Sequence, residues 1–316
     1  DTQLANGSYT SVAPDAPHAM RLKEGGPAWA DAGIICPWVV YLAYGDTRVL
    51  SDHYTNMCRF IDFMKNTSKD LIRPHADFEF NHAYGDWLHI NAETPKDLIG
   101  TAYFAYSTRL LARIAGVLSK SADAKKYEQL ADEVKRAFQK RFFTPDGLAA
   151  SQTQTAYVLA LHFDLLPDKL RNIASNELVK DIRKRGNHLS VGFVGSSYLP
   201  HALSNTGRLD VAFDLLHQKT WPSWLYAVTQ GATTIWERWD GWTHDKGFQT
   251  PSMNSFVMVS LLVWRASLPA VGLFVLDPPS TAQVEKREKE KKTFGTPESL
   301  SPALSPSRRT QARLEP

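Results

Sequence analysis

The stretch AGIICPWVVYLAYGDTRVLSDHYTNMCRFIDFMK, residues 32–65, decides the fold class. Its first part is apolar throughout and ends at Tyr44-Gly45-Asp46, a glycine stop followed by an acidic start. Its second part places Val49, Leu50, Tyr54, Met57, Phe60, Ile61 and Met64 three and four residues apart, which is one face of an α-helix. Two helices joined by a tight turn form a hairpin, and the pattern recurs downstream. Helices are predicted near 95–119, opened by the capping residue Thr94 with Pro95 in the first turn, and near 123–142. Phe143-Thr-Pro-Asp-Gly147 reads as a turn, and further helices are predicted near 153–164, 168–185, 196–205 and 208–217. Period-two alternation is almost missing. Hairpins joined alternately by short turns and long aromatic loops predict an all-α fold, an α/α toroid whose inner helices line a pocket rimmed by the long loops.

Composition narrows the class. The chain has 316 residues, 43% of them hydrophobic and 11% aromatic, enough for a sizeable core. Residues 281–316 hold eight Lys/Arg against five Asp/Glu, which accounts for the whole +3 charge and leaves the other residues balanced. A nucleic-acid-binding face is therefore not expected. Cys36 and Cys58 lie in apolar helical patterns and read as small core hydrophobes rather than zinc ligands or a disulfide. The apolar segment 257–276 is long enough to span a bilayer, but Arg265 near its centre and Pro269 argue against a membrane helix. The tail 277–316 is rich in Pro, Ser and charge and is expected to be disordered. The chain opens on Asp1-Thr-Gln-Leu without an initiator Met, which reads as an internal piece of a longer polypeptide, so the compartment stays open.

Chemistry concentrates in Trp221–Trp242, where twenty-two residues hold five tryptophans around Glu237, with Gly231 at a turn. Indole faces are flat platforms for the C–H faces of a sugar ring. Glu237, between Trp236 and Trp239, is placed for partial desolvation and for proton transfer near neutrality, or else belongs to a buried aromatic cluster with Arg238 as its ion pair. Three other loop clusters combine aromatic and acidic or glycine residues: Trp29 with Asp31, Tyr84 with Asp86 and Trp87, and Gly192-Phe-Val-Gly195 with Tyr198. In a toroid such loops converge on one rim. Acidic and aromatic groups without a phosphate cradle or metal motif point to neutral sugars and to glycosidase chemistry, which needs two carboxyl groups across the scissile bond. Glu237 is one; the residues alone do not secure the second. His75, His82 and His89 recur every seven residues in a Pro/Asn/Gly loop and read as a polar rim, so no metal and no cofactor is expected. Gly192–Gly195 lacks the lysine of a P-loop and reads as helix packing. Thr153 and Thr155 open a capped inner helix and are weaker candidates to face a sugar.

Seven motifs together resemble the catalytic domain of bacterial α-L-rhamnosidases, glycoside hydrolase family 78. They are N-G-x-Y with V-A-P (6–14), G-P-A-W-A-D-A-G (26–33), P-W with Y-G-D (37–46), Y-G-D-W-L (84–88), T-Q-T-A-Y-V-L-A-L with L-L-P (153–167), G-F-V-G-S-S-Y-L (192–199) and Y-A-V-T-Q-G-A-T-T-I-W-E-R-W-D-G (226–241). The family usually has glycine at Ala30. The resemblance implies an (α/α)6 toroid of the six-hairpin glycosidase type, incomplete at both ends, with residues 1–256 as the partial catalytic domain. It implies hydrolysis of terminal α-L-rhamnosides with inversion, Glu237 as general base, and Trp29 and Trp87 as walls of the rhamnose pocket. Asp31, Asp86, Trp236 and Trp239 are expected on the same rim. The partner implied is a rhamnoside-containing oligosaccharide or glycoside, with no nucleic acid, no membrane role and an undefined oligomeric state.

The chain departs from the family at two points. The general-acid motif lies upstream of the matching region, and the Asn-His-Tyr continuation after Phe256 is replaced by Val257-Met258-Val259. Little or no hydrolase activity is therefore expected of the chain by itself. Another inverting glycosidase on the same fold and a non-catalytic carbohydrate-binding module are the alternatives.

Overall fold

The computed structural model describes residues 2–11, 13, 25–74, 84–233 and 236–249. The segments 257–276 and 277–316, for which an atypical apolar stretch and a disordered tail are expected, lie outside the described residues, as do His75 and His82.

Among the described residues, four helical hairpins follow one another. α1 (Ala32–Tyr44) packs on α2 (Arg48–Asn66), α3 (Lys96–Val117) on α4 (Ser121–Phe142), α5 (Gln154–His162) on α6 (Asp168–Lys184), and α8 (Leu199–Asn205) on α9 (Leu209–His217). The first members of the pairs also touch in sequence, α1 with α3, α3 with α5 and α5 with α8, so they form the inner layer and α2, α4, α6 and α9 the outer. This is the alternating inner and outer arrangement of an α/α toroid.

The two layers differ in their sequences for a physical reason. An outer helix buries one stripe: α4 buries Tyr127, Leu130, Ala131, Val134, Phe138 and Phe142 and exposes its charged side to water. Two of the inner helices are surrounded on most sides: α3 buries sixteen of its 22 residues and α5 eight of its nine. The polar residues of α3 that are buried, among them Thr101, Ser107 and Thr108, must then find partners within the protein. Thr101 Oγ1 donates to the Asp97 carbonyl at 2.7 Å and Thr108 Oγ1 to the Phe104 carbonyl at 2.7 Å. Gly45 stops α1 in a left-handed conformation (φ 70°), its N–H donating to the Tyr41 carbonyl, as the Tyr44-Gly45-Asp46 signal predicts.

Several local expectations are corrected. The helix expected over 196–205 is broken into α7 (Phe193–Ser196) and α8, which restarts with Pro200 in its first turn. Pro200 carries no N–H and is placed where none is needed. Thr94 does not cap α3: Pro95 holds the N-cap position, and Thr94 Oγ1 instead lies 2.7 Å from Thr153 Oγ1. Thr153 caps α5, accepting from the Ala156 N–H at 3.3 Å. The tryptophan-rich run contains α10 (Trp224–Thr229), capped by Ser223, followed by a two-residue antiparallel pairing of β1 (Trp242–Thr243) with β2 (Gly247–Phe248). Both cysteines are free, but Cys36 is exposed rather than in the core. It lies on α1 with Val39 and Val40, which are 51% and 37% exposed, because this wholly apolar helix buries only Ile34 and Trp38. No helix among the described residues is long and apolar enough to cross a membrane.

Candidate active site on the N-terminal rim of the inner helices

The aromatic and acidic loops sit where the inner helices begin. Residues 25–31 lead into α1, 84–95 into α3, 148–153 into α5 and 187–192 into α7 and α8. Inner helices that start on one side of the ring bring these loops together.

Trp29, Tyr84, Trp87 and Phe193 form one aromatic group. The Trp29 ring lies 4.5 Å from that of Tyr84 and 6.4 Å from that of Phe193, nearly parallel to the latter at 11°. Tyr84 meets Trp87 edge to face at 6.3 Å. Trp87 is 44% exposed, so a flat indole faces outward where an amphipathic ligand can lie on it. Trp29 also lines a cleft of about 310 Å³ shared with Tyr9, Thr10, Ser11, His53 and Asn56.

The acidic members of the same loops are turned inward. Asp31 is buried beside the first turn of α1; its Oδ2 accepts from the Ala28 N–H at 2.9 Å and its Oδ1 from Ser107 Oγ at 2.5 Å. The first bond closes the tight turn on which Trp29 stands, and the second fixes that turn to α3. Burial pushes the Asp31 carboxyl above its ordinary range, against the Ser107 and Ala28 hydrogen bonds and the more distant Arg73 charge, which pull it down.

Asp86 is held still more completely. Its Oδ2 accepts from Thr155 Oγ1 at 2.5 Å and the Gly192 N–H at 2.8 Å, and its Oδ1 from the N–H groups of Val194 at 2.9 Å and Gly195 at 3.1 Å. The carboxylate thus closes the start of α7 from more than a hundred residues away. Burial pushes it up and the four donors pull it down. The approach is so close that a Cβ on Gly192 would overlap the Trp87 carbonyl oxygen and one on Gly195 would overlap Thr155 Oγ1. Gly192–Gly195 therefore serves helix packing, and Thr155 serves Asp86. The Phe193 N–H donates to the Trp87 carbonyl at 2.9 Å and the Ile90 N–H to the Ser190 carbonyl at 3.0 Å.

The Glu237 loop attaches to the same segment. Trp239, 8% exposed, donates its indole Nε1–H to the Val191 carbonyl at 2.8 Å and stands edge-on to Trp224 at 5.7 Å. Trp236 is buried against Tyr226, edge to face at 6.5 Å, and Gly241 passes so close that any side chain there would strike its ring. Tyr226 Oη donates to the Trp242 carbonyl at 3.1 Å. Glu237, between these two anchored indoles, is partly exposed. Arg238 reaches Asp240 through Nε at 2.9 Å and Nη2 at 3.2 Å.

Of the residues singled out from sequence, Trp29 and Trp87 share one aromatic group, and Asp86, Trp87 and Trp239 are tied to one another through residues 190–195. Asp31 lies beneath Trp29, and Trp236 belongs to the Trp224–Phe248 loop. Tyr198 lies apart from the rim, stacked on His162 at 4.6 Å and edge-on to Phe163 at 5.0 Å. His89 caps its own loop, its Nδ1 accepting from the Ala92 N–H at 3.2 Å. Among the described residues, no group of three or more His, Cys, Asp or Glu side chains is placed to hold a metal ion. Sequence reasoning missed Ser107 and the Val191 carbonyl. A serine at a fully buried position of an apolar inner helix is a readable signal, whereas a backbone carbonyl leaves none.

The family described as the bacterial α-L-rhamnosidase 6 hairpin glycosidase domain matches residues 1–263. An α-L-rhamnosidase of Streptomyces avermitilis is 46% identical over 256 residues, covering 81% of this chain and 24% of its own length. One from Formosa agariphila is 37% identical over 263 residues, covering 81% of this chain and 27% of its own. The crystal structure of the S. avermitilis α-L-rhamnosidase complexed with L-rhamnose superimposes with a TM-score of 0.78 at 43% identity, over 84% of this chain and 25% of that one. The native Aspergillus terreus α-L-rhamnosidase gives 0.77 at 30% identity, over 84% and 32%. The chain thus spans about a quarter of the length of the curated relatives it matches. On the extent of these matches, the chain belongs to the bacterial α-L-rhamnosidase six-hairpin glycosidase family.

Proposed function

We propose that residues 1–256 are part of the catalytic domain of an α-L-rhamnosidase and carry its general base, Glu237. In a polypeptide of its relatives' length, the rhamnose ring of a terminal α-L-rhamnoside lies on Trp87, with Trp29 as the second wall of the pocket. Glu237, steadied between Trp236 and Trp239, takes a proton from water as the water oxygen attacks the anomeric carbon. A second carboxyl group protonates the departing glycosidic oxygen on the opposite face, so the released sugar has inverted configuration. Such a pair stands ~6.5–9.5 Å apart, which leaves room for the water.

Asp31 and Asp86 do not serve as that acid: both are buried with both oxygens occupied by protein donors. We propose also that the 316-residue chain by itself releases little or no rhamnose. The observation that carries the reading is the attachment of the Glu237 loop, through Trp239 and Val191, to the segment that also holds Trp87.

The test is hydrolysis of an aryl α-L-rhamnoside by a protein that includes the flanking regions present in the relatives. Glu237→Gln is expected to lower kcat by roughly 10²–10⁴-fold with KM little changed. Unchanged kcat, or release of rhamnose with retained configuration, would overturn the assignment. Rhamnose release by the chain alone, abolished by Glu237→Gln, would overturn the inactivity.

A further inference from the structure

We infer that Asp86 is a positioning residue that sets two indoles of the rim at once, Trp87 beside it in sequence and Trp239 more than a hundred and fifty residues away. The inference rests on the sugar-binding reading only for its consequence, not for its geometry.

Three observations carry it. First, Asp86 meets no ligand-facing surface: it is 2% exposed, and its two oxygens take four protein donors, three of them backbone N–H groups at the start of α7. A carboxylate bonded in this way is rigid, since losing one donor leaves buried charge or a buried N–H without a partner. Second, the segment it grips carries both contacts that orient the indoles. Val191, which precedes the gripped Gly192, accepts from Trp239 Nε1, and Phe193, which follows it, donates to the carbonyl of Trp87 and stacks on Trp29. Third, the grip has no slack, because Gly192 and Gly195 leave no room for a side chain against Trp87 and Thr155. A change at Asp86 therefore reaches Trp87 through its own backbone and Trp239 through residues 191–192. The aspartate next to a rim tryptophan belongs to the frame of the sugar platform and not to its surface.

The test labels the 316-residue chain with 5-fluorotryptophan and assigns the Trp87, Trp239 and Trp38 resonances by Trp→Phe substitution at each. Asp86→Asn is expected to shift or broaden both the Trp87 and Trp239 signals and to leave Trp38, on α1, in place. Amide exchange at Val194 and Gly195 should quicken at least about tenfold. Thr155→Val, which removes one donor and keeps the charge, should move the same two signals by less, and it serves as the probe if Asp86→Asn does not fold. Unmoved Trp87 and Trp239 signals in a folded variant, or a shift of Trp87 alone, would overturn the inference. L-Rhamnose titration separates this inference from the proposed function. Weaker rhamnose-induced shifts in Asp86→Asn support both. No rhamnose response in a protein that includes the flanking regions present in the relatives, with the Asp86 effect on the two indoles intact, supports the positioning role and removes the sugar reading.

Discussion

The two loops that bring tryptophan to the rim are built in opposite ways. The Trp87 loop is anchored by charge: a buried carboxylate takes four hydrogen bonds from two other parts of the chain. The Glu237 loop is anchored by aromatic burial, with Trp236 against Tyr226, Trp239 against Trp224, and the Nε1–H of Trp239 bonded to Val191. Its charged pair, Arg238 with Asp240, stays partly in water. The difference suits the work each loop is proposed to do. A binding platform gains from rigidity, and a carboxylate can be buried beside it because it never reacts. A proposed general base must keep its own carboxylate accessible to water, and Glu237 is partly exposed between two anchored indoles.

That contrast can be broken one anchor at a time. Asp86→Ala strips four donors of their acceptor inside the protein and is expected to cost about 3 kcal/mol of stability, read from chemical denaturation. A loss below about 1 kcal/mol would mean that the donors find other partners and that the loop is not held by charge. Trp239→Phe keeps most of the buried ring and removes one indole hydrogen bond, so about 1 kcal/mol is expected, with loss of the Trp224–Trp239 signature in near-ultraviolet circular dichroism. Arg238→Ala should cost no more than about 0.5 kcal/mol, because its ion pair is partly solvated. A loss as large as that of Trp239→Phe would place Arg238 among the anchors of the Glu237 loop.

Much of the fold was legible because an α/α hairpin writes itself locally. The Gly45 stop and the 3–4 spacing from Val49 to Met64 need no knowledge of distant residues. The break between α7 and α8 was less legible, since Gly192–Gly195 looks like an ordinary helix start until Asp86 is seen to occupy it. In the candidate site, tryptophan density singles out Glu237, and the resemblance carried by Y-G-D-W-L singles out Trp87. The orientation of Asp31 and Asp86 was hidden, because their partners Ser107, Thr155 and Gly192 are 69 to 106 positions away. Spacing along the chain carries no record of such contacts. The exposure of Cys36, Val39 and Val40 was hidden for a related reason: apolar sequence predicts burial, but the neighbour that would bury this face of α1 is a tertiary fact.

The most direct measurement is a crystal structure, soaked with L-rhamnose, of a protein that includes the flanking regions present in the relatives. One pyranose is expected on the Trp87 indole, walled by Trp29, with the Glu237 carboxylate turned toward its anomeric carbon across a gap of one water. Rhamnose bound away from Trp87, or Glu237 pointing away from the sugar that Trp87 holds, would contradict it.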